Sequence, residues 1–117
     1  MYTPGNLRQA RELYEEDLAI GVELGDADCI AYALISLANV VCGEGQYIRS
    51  AQVQGAASTV FKEAEIYLEA VEQAHYEKTA TALKNYLGQA IYEKELETGK
   101  QLSVEQAIEL ALKKELE

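Results

Sequence analysis

The sequence predicts an all-α protein, and three of its features lead to that prediction. Alanine, leucine, glutamate and lysine dominate the 117 residues, and all four are good helix formers. Runs of β-branched residues with alternating polarity, which would indicate strands, do not occur. Apolar residues recur instead at intervals of three and four, which is the period of an amphipathic helix. Because 49% of the residues are hydrophobic, the chain can form one core, and we expect a single domain over residues 1–117.

In the N-terminal half, the period predicts helices over residues 5–24, 27–42 and 47–63. Gly25 offers the left-handed stop after the first helix, and Asp26 can cap the second. The second helix is apolar on nearly every side, so we expect it to be central and covered by several neighbours. The third helix carries small residues that permit another helix to approach closely. They are Ser50, Ala51, Gly55, Ala56 and Ala57.

In the C-terminal half, a bend or short loop at residues 64–69 is expected to precede helices over residues 70–87, 89–98 and 104–116. Gly88 separates the first two of these helices, and we expect Gly99 to close the second. Ser103 and Gln106 form a capping box, in which the serine oxygen accepts from an amide and the glutamine reaches back. The fourth helix is expected to face inward through Val71, Ala74, Ala82, Leu83 and Tyr86.

The two cysteines, Cys29 and Cys42, both fall in the second predicted helix. At ~1.5 Å of rise per residue they would lie roughly 20 Å apart, which is beyond disulfide reach. We therefore interpret them as reduced, buried small hydrophobic residues, as in a cytoplasmic protein. No apolar run approaches the ~20 residues of a membrane span, and no signal-peptide pattern is present, in agreement with that localisation.

The charge is strongly acidic, at a formal net value of −10. Nucleic acid and anionic membrane surfaces attract basic stripes, so neither is an expected partner. Between Glu12 and Tyr47 there is no lysine or arginine, whereas acidic residues are frequent. This segment predicts a solvated acidic face or, alternatively, a docking surface for a protein or peptide with a basic surface.

The centre of the chain has the spacing of a tetratricopeptide repeat. The matching residues are Leu37-Ala38, Val41, Gly45-Gln46-Tyr47 and Ser50-Ala51. In that pattern, small residues let the two helices of a hairpin touch, the glycine turns the chain and the tyrosine packs between the helices. Serine stands at position 50, where alanine is usual, and is small enough to fit.

Most of the chain further resembles the C-terminal end of the tetratricopeptide region of bacterial ATPase-coupled transcriptional regulators of the LuxR and SARP types. This resemblance depends on Leu13-Tyr14-Glu15, Leu24-Gly25-Asp26, Gly45-Gln46, Gly55-Ala56-Ala57, Tyr76-Glu77, Leu87-Gly88, Gly99, Leu102-Ser103, Glu105, Ala107-Ile108 and Ala111-Leu112. Residues 64–69 depart from it, since the family often has glycine and prolines there. The resemblance implies a right-handed α-α superhelix of about six helices, with repeat helices in residues 1–63 and a three-helix extension in residues 64–117.

The resemblance also implies a function, that of a non-catalytic protein-interaction scaffold or sensor module from a bacterial signalling or transcription regulator. Repeats of this type bind partners on a concave groove, which here would be lined by Tyr32, Ile35, Asn39 and Cys42. Some bind a terminal carboxylate through lysine and asparagine, but Ile35 stands where the lysine is needed, so that mode is not expected. No nucleotide-binding GxxxxGK[ST] pattern occurs.

An alternative is a free-standing homodimeric adaptor. If the first helix is the second half of a repeat, its partner helix is missing, and solenoids need covered ends. The apolar stripe that would then mediate self-association comprises Leu7, Tyr14 and Leu18.

Catalytic and metal sites have weak signals. Glu72 and His75 have the spacing found in di-iron helical bundles, but such a site needs a second pair, and His75 is the only histidine. Neither cysteine has a histidine adjacent in sequence, so nucleophilic catalysis is not indicated. We expect no enzyme activity, metal or cofactor, and a metal-binding helical-bundle enzyme is the remote alternative.

Overall fold

The structure is a computed structural model that describes residues 4–112. It contains six helices, which are α1 (Pro4–Leu24), α2 (Ala27–Gly43), α3 (Tyr47–Glu63), α4 (Ala70–Leu87), α5 (Gln89–Lys100) and α6 (Val104–Leu112). Within residues 4–112 there is no strand, so the all-α prediction is confirmed. The expected end of the last helix near residue 116 lies outside the described residues.

Three helix ends have the causes that the sequence predicted. Gly25 adopts a φ of +66°, in the left-handed region where a side chain would be strained. The Asp26 carboxylate accepts a hydrogen bond from the Cys29 amide at 3.2 Å and caps α2. The capping box is reciprocal. The backbone amide of Gln106 donates to Ser103 Oγ at 3.1 Å, and the backbone amide of Ser103 donates to the side-chain Oε1 of Gln106 at 2.9 Å.

Helix α2 is central, as its apolar composition predicted. It packs against α1, α3, α4 and α6, while α3 packs in turn against α2, α4, α5 and α6. The main core therefore lies between α2 and α3 and is closed by α1, α4 and α6. Among its buried members are Leu18, Leu34, Leu37, Val53 and Phe61.

Helices α3 and α5 cross at two glycines, Gly55 and Gly99. The prediction that Gly99 closes its helix was wrong. Gly99 lies inside α5 and is buried against α3. A Cβ atom added there would come within 1.9 Å of the Gln52 carbonyl oxygen, and one added at Gly55 within 2.0 Å of the Leu96 carbonyl oxygen. Each glycine thus allows the backbone of the opposite helix to approach, which a single methyl group would prevent.

A buried polar network joins α3 to α4 and α5. The side chain of Gln54 is fully buried, donates to the Tyr76 carbonyl oxygen at 3.0 Å and accepts from the Tyr92 hydroxyl at 2.7 Å. Ser58 Oγ and the Tyr76 hydroxyl form a further hydrogen bond of 2.7 Å. Because buried polar groups are costly unless paired, this network favours one alignment of the three helices.

The inward face of α4 matches the predicted one only at Leu83. Its buried residues are Thr79 and Leu83, whereas Val71, Ala74 and Tyr86 are exposed and Ala82 is half-buried. Thr79 can face inward because its single hydroxyl proton is shared between two acceptors, Asn39 Oδ1 and the His75 carbonyl oxygen, each 3.2 Å away. The prediction weighted apolar side chains and therefore missed an inward position held by hydrogen bonds.

Candidate binding groove between α2 and α4

A groove of about 700 Å³ lies between the C-terminal half of α2 and helix α4, with the start of α3 at one end. We call it the α2–α4 groove. It is lined by Asn39, Cys42, Gly43, Tyr47, His75, Lys78, Ala82 and Tyr86. Its size is that of a typical ligand or peptide site, and three helices supply its walls.

Asn39 and His75 form the polar part of the groove and join its two long walls. Asn39 Nδ2 lies 2.8 Å from His75 Nε2. Because an amide nitrogen can only donate, His75 Nε2 is the acceptor in this hydrogen bond. Thr79 donates to Asn39 Oδ1 from the buried side. The asparagine side chain is thus fixed in orientation, which leaves a defined pattern of donors and acceptors in the groove.

Tyr47 and Tyr86 form an aromatic platform in the same groove. Their ring centroids lie 4.1 Å apart, and the ring planes differ by 9°, so the rings are stacked. Burial is the main cause that raises the pKa of Tyr47, followed by its hydrogen bond with Tyr86. Tyr86 is largely exposed to solvent. A rigid, exposed aromatic ring offers contact area at low entropic cost, as interface hot spots do.

The remaining charged and reactive groups define what the groove can do chemically. Lys78 is exposed on α4, and no residue that lines the groove carries a carboxylate. Burial raises the pKa of the Cys42 thiol, so the sulfur stays protonated at neutral pH and is a weak nucleophile. The groove therefore offers hydrogen bonding, one positive charge and aromatic stacking.

Only two of the four residues predicted to line a groove do so. Asn39 and Cys42 lie in the α2–α4 groove. Ile35, in contrast, is only 2% exposed and belongs to the core, so its prediction as a groove residue was wrong. Tyr32 is half-buried and packs edge-on against Phe61, with 5.8 Å between ring centroids. Helix α4 packs against α2, and the groove between them lies along the C-terminal half of α2.

The sequence interpretation missed the residues that α4 contributes. In the sequence His75 stood out only as a weak candidate for a metal ligand, and no pattern singled out Lys78. A signal was present, since His75, Lys78, Ala82 and Tyr86 follow one another at intervals of three and four and so share one helix face. The spacing of these residues does not, however, show that their helix face contacts Asn39 of α2.

Glu72 and His75 do not converge on a metal site. His75 Nε2, a ligand atom in such sites, already accepts from Asn39. Within residues 4–112, no group of three or more His, Cys, Asp or Glu side chains is arranged to hold a metal ion.

The self-association stripe predicted on α1 mostly faces inward. Leu18 is fully buried against α2, and Leu7 and Tyr14 are half-buried. Leu18 is thus unavailable at the surface, because α1 turns this side toward α2. Among the described side chains of α1, the large apolar residues that are exposed are Leu13, Ile20, Val22 and Leu24.

Two residues of the acidic segment between Glu12 and Tyr47 belong to an ion-pair cluster. Arg11 forms a bidentate interaction with Glu44 and donates to Glu15 at 2.8 Å, while Arg49 lies 3.7 Å from Glu44. Hydrogen bonding to Glu44 is the main cause that raises the pKa of Arg11. Arg11 also donates to the Ala111 carbonyl oxygen at 3.4 Å. Arg11 therefore connects α1 to the α2–α3 turn and to α6, and two of the acidic residues, Glu15 and Glu44, have a structural role as its partners.

Comparison with known proteins does not extend these observations. No family model, curated protein or solved structure matches the chain. Among the helices of the described part of the chain, none is both long and apolar enough to cross a membrane.

Proposed function

We propose that the chain is a non-catalytic protein-interaction module whose α2–α4 groove binds a peptide segment of a partner protein. The observation that carries this proposal is the groove itself, in which a fixed amide–imidazole pair, an ammonium group and a stacked tyrosine pair converge from three helices. Peptide sites combine these elements, because hydrogen bonds set orientation and exposed aromatic rings supply contact area.

The charge of the groove indicates the kind of segment it binds. Lys78 is its formally charged lining residue, and the carboxylates of this acidic chain lie elsewhere. A neutral or acidic segment therefore fits, since a basic segment would meet Lys78 without a compensating carboxylate. This differs from the basic partner that the sequence suggested, for which the acidic residues of α1 are the better surface.

We further propose that the chain is a tetratricopeptide-like scaffold or sensor segment of a cytoplasmic bacterial signalling or transcription regulator. In that proposal, α2 and α3 form one repeat of a right-handed superhelix, and the helices after residue 63 form its extension. Two features support the repeat. Ser50 donates to the Ala38 carbonyl oxygen at 2.6 Å, where small residues must let the helices touch, and Tyr47 follows the turn glycine Gly45 and packs at the hairpin.

Selection of peptides from a random displayed library on the purified chain tests the groove. Selected peptides should bind in titration calorimetry, and Lys78→Glu and Tyr86→Ala should each weaken binding at least tenfold. Both side chains are exposed, so the fold should persist, which far-UV circular dichroism would check. Lys94→Glu and Tyr67→Ala are the matched controls, because they make the same changes at exposed positions outside the groove. An equal loss of peptide affinity in the control variants would contradict the proposal, and so would a selection that returns no binding peptide.

A further inference from the structure

Helix α1 presents an exposed apolar stripe beside the face that packs against α2. Leu13, Ile20 and Leu24 are 54%, 46% and 72% exposed. Their spacing of seven and four residues places them within roughly 40° of one another around the helix, at ~100° per residue. Leu18, roughly 140° around the helix from Leu13 at ~100° per residue, is fully buried. The stripe is therefore a second, outward face of α1, and it does not contribute to the α2–α4 groove.

Acidic side chains flank this stripe. By helical spacing, Glu12, Glu16 and Glu23 lie along one edge of it and are exposed, while Asp17 lies along the other. Among the described residues, these four carboxylates form no ion pair, in contrast to Glu15 on the same helix. Arg8 is the one exposed cation in the described part of α1, and it lies outside the stripe.

We propose that this outer face of α1 is a docking surface for an amphipathic helix with an apolar stripe flanked by lysine or arginine. The apolar anchors on α1 recur at the spacing with which one helix packs against another. The flanking carboxylates select a basic partner, since opposite charges around an apolar contact steer association and fix its register. A second copy of this chain is disfavoured as the occupant, because two acidic faces would then be opposed.

Synthetic peptides test the charge requirement. The first is an 18-residue helix of leucine and lysine, with leucine at heptad positions a and d and lysine beside them, and the second has glutamate in place of every lysine. Titration of each into the purified full chain should show binding of the lysine peptide alone. Binding of both peptides, or of neither, would overturn the proposal.

Variants of the chain test the location. Ile20→Ser and Leu24→Ser should each weaken binding of the lysine peptide at least tenfold, whereas Val71→Ser, at an exposed apolar position on α4, should not. Glu12→Lys with Glu16→Lys should abolish binding. The control is the same pair of changes at Glu93 and Glu97, which are also exposed and four residues apart. This variant should keep most of its binding of the lysine peptide. Equal losses in these controls would show nonspecific attraction to an acidic protein and would refute the docking surface.

The oligomeric state separates the proposed occupant from a second copy. Light scattering on the full chain should give a monomer. A dimer that Ile20→Ser converts to a monomer would overturn the proposal, because the face would then be occupied by another copy of this chain.

Discussion

Replacing Gly55 or Gly99 with alanine should separate α3 from α5 and destabilise the fold. The new methyl group at Gly55 would lie 2.0 Å from the Leu96 carbonyl oxygen, and the one at Gly99 1.9 Å from the Gln52 carbonyl oxygen. To restore an ordinary contact of 3.4 Å, the helices would have to move apart by about 1.4 Å at the crossing. Backbone atoms cannot rotate away, so the helices themselves must shift.

Two opposing effects set the magnitude. Alanine favours the helix over glycine by ~1 kcal/mol, whereas overpacking of a close contact costs ~1–3 kcal/mol and sometimes more. Since the clash involves main-chain atoms on both helices, we expect the upper end of that range and a net loss of about 2 kcal/mol in the free energy of unfolding. At about 4 °C per kcal/mol for a domain of this size, the melting temperature should fall by about 8 °C.

Urea and thermal unfolding followed by far-UV circular dichroism measure these losses. Gly21→Ala is the matched control, because a Cβ atom there would lie 3.1 Å from side-chain atoms of Cys29 and Ile30, so that only a small shift of side chains, and none of an opposing backbone, is required. The double variant at Gly55 and Gly99 should lose less than the sum of the single variants, since the first separation makes room for the second methyl group. Single variants as stable as Gly21→Ala would refute the close crossing of α3 and α5.

Three further outcomes follow from buried polar groups. Tyr92→Phe removes the hydroxyl that donates to Gln54 Oε1 at 2.7 Å, and urea unfolding should show a loss of about 1–2 kcal/mol. Arg11→Met removes both hydrogen bonds to Glu44 and should cost about 1–2 kcal/mol in the same assay, while Arg8→Met at an exposed position should cost little. Burial raises the pKa of Tyr92 above its usual value of 10, so this tyrosine ionises first in the unfolded chain. The free energy of unfolding should therefore fall as the pH rises above about 10, and fall less in Tyr92→Phe, as measured by urea unfolding across that range.

Much of the local structure could be predicted from the sequence. The helical period and the turn glycines located six helices, and the apolar composition of residues 27–42 identified the central one. The capping box at Ser103 was recognisable because all of its hydrogen bonds form within four residues. These features depend on neighbours in the chain, so composition and spacing are sufficient to find them.

The candidate site could be predicted only in part. Asn39 and Cys42 share a face of α2 by their spacing, and both lie in the groove. Ile35 shares that face but is covered, and the partner of Asn39 is His75, thirty-six residues away. The spacing of residues on one helix says which side chains point the same way. It does not say which neighbouring helix meets them.

The sequence by itself thus determined the helices, most of their ends and the identity of the central helix, because each follows from short-range hydrogen bonding and the period of the apolar residues. Only the tertiary structure decided the environment of each helix face. In the tertiary structure Leu18 is buried and Leu13 is exposed. Gly99, which was expected to end its helix, lies inside it and contacts α3. The physical reason is that helix packing depends on the fit of distant surfaces, which a pattern along one helix does not contain.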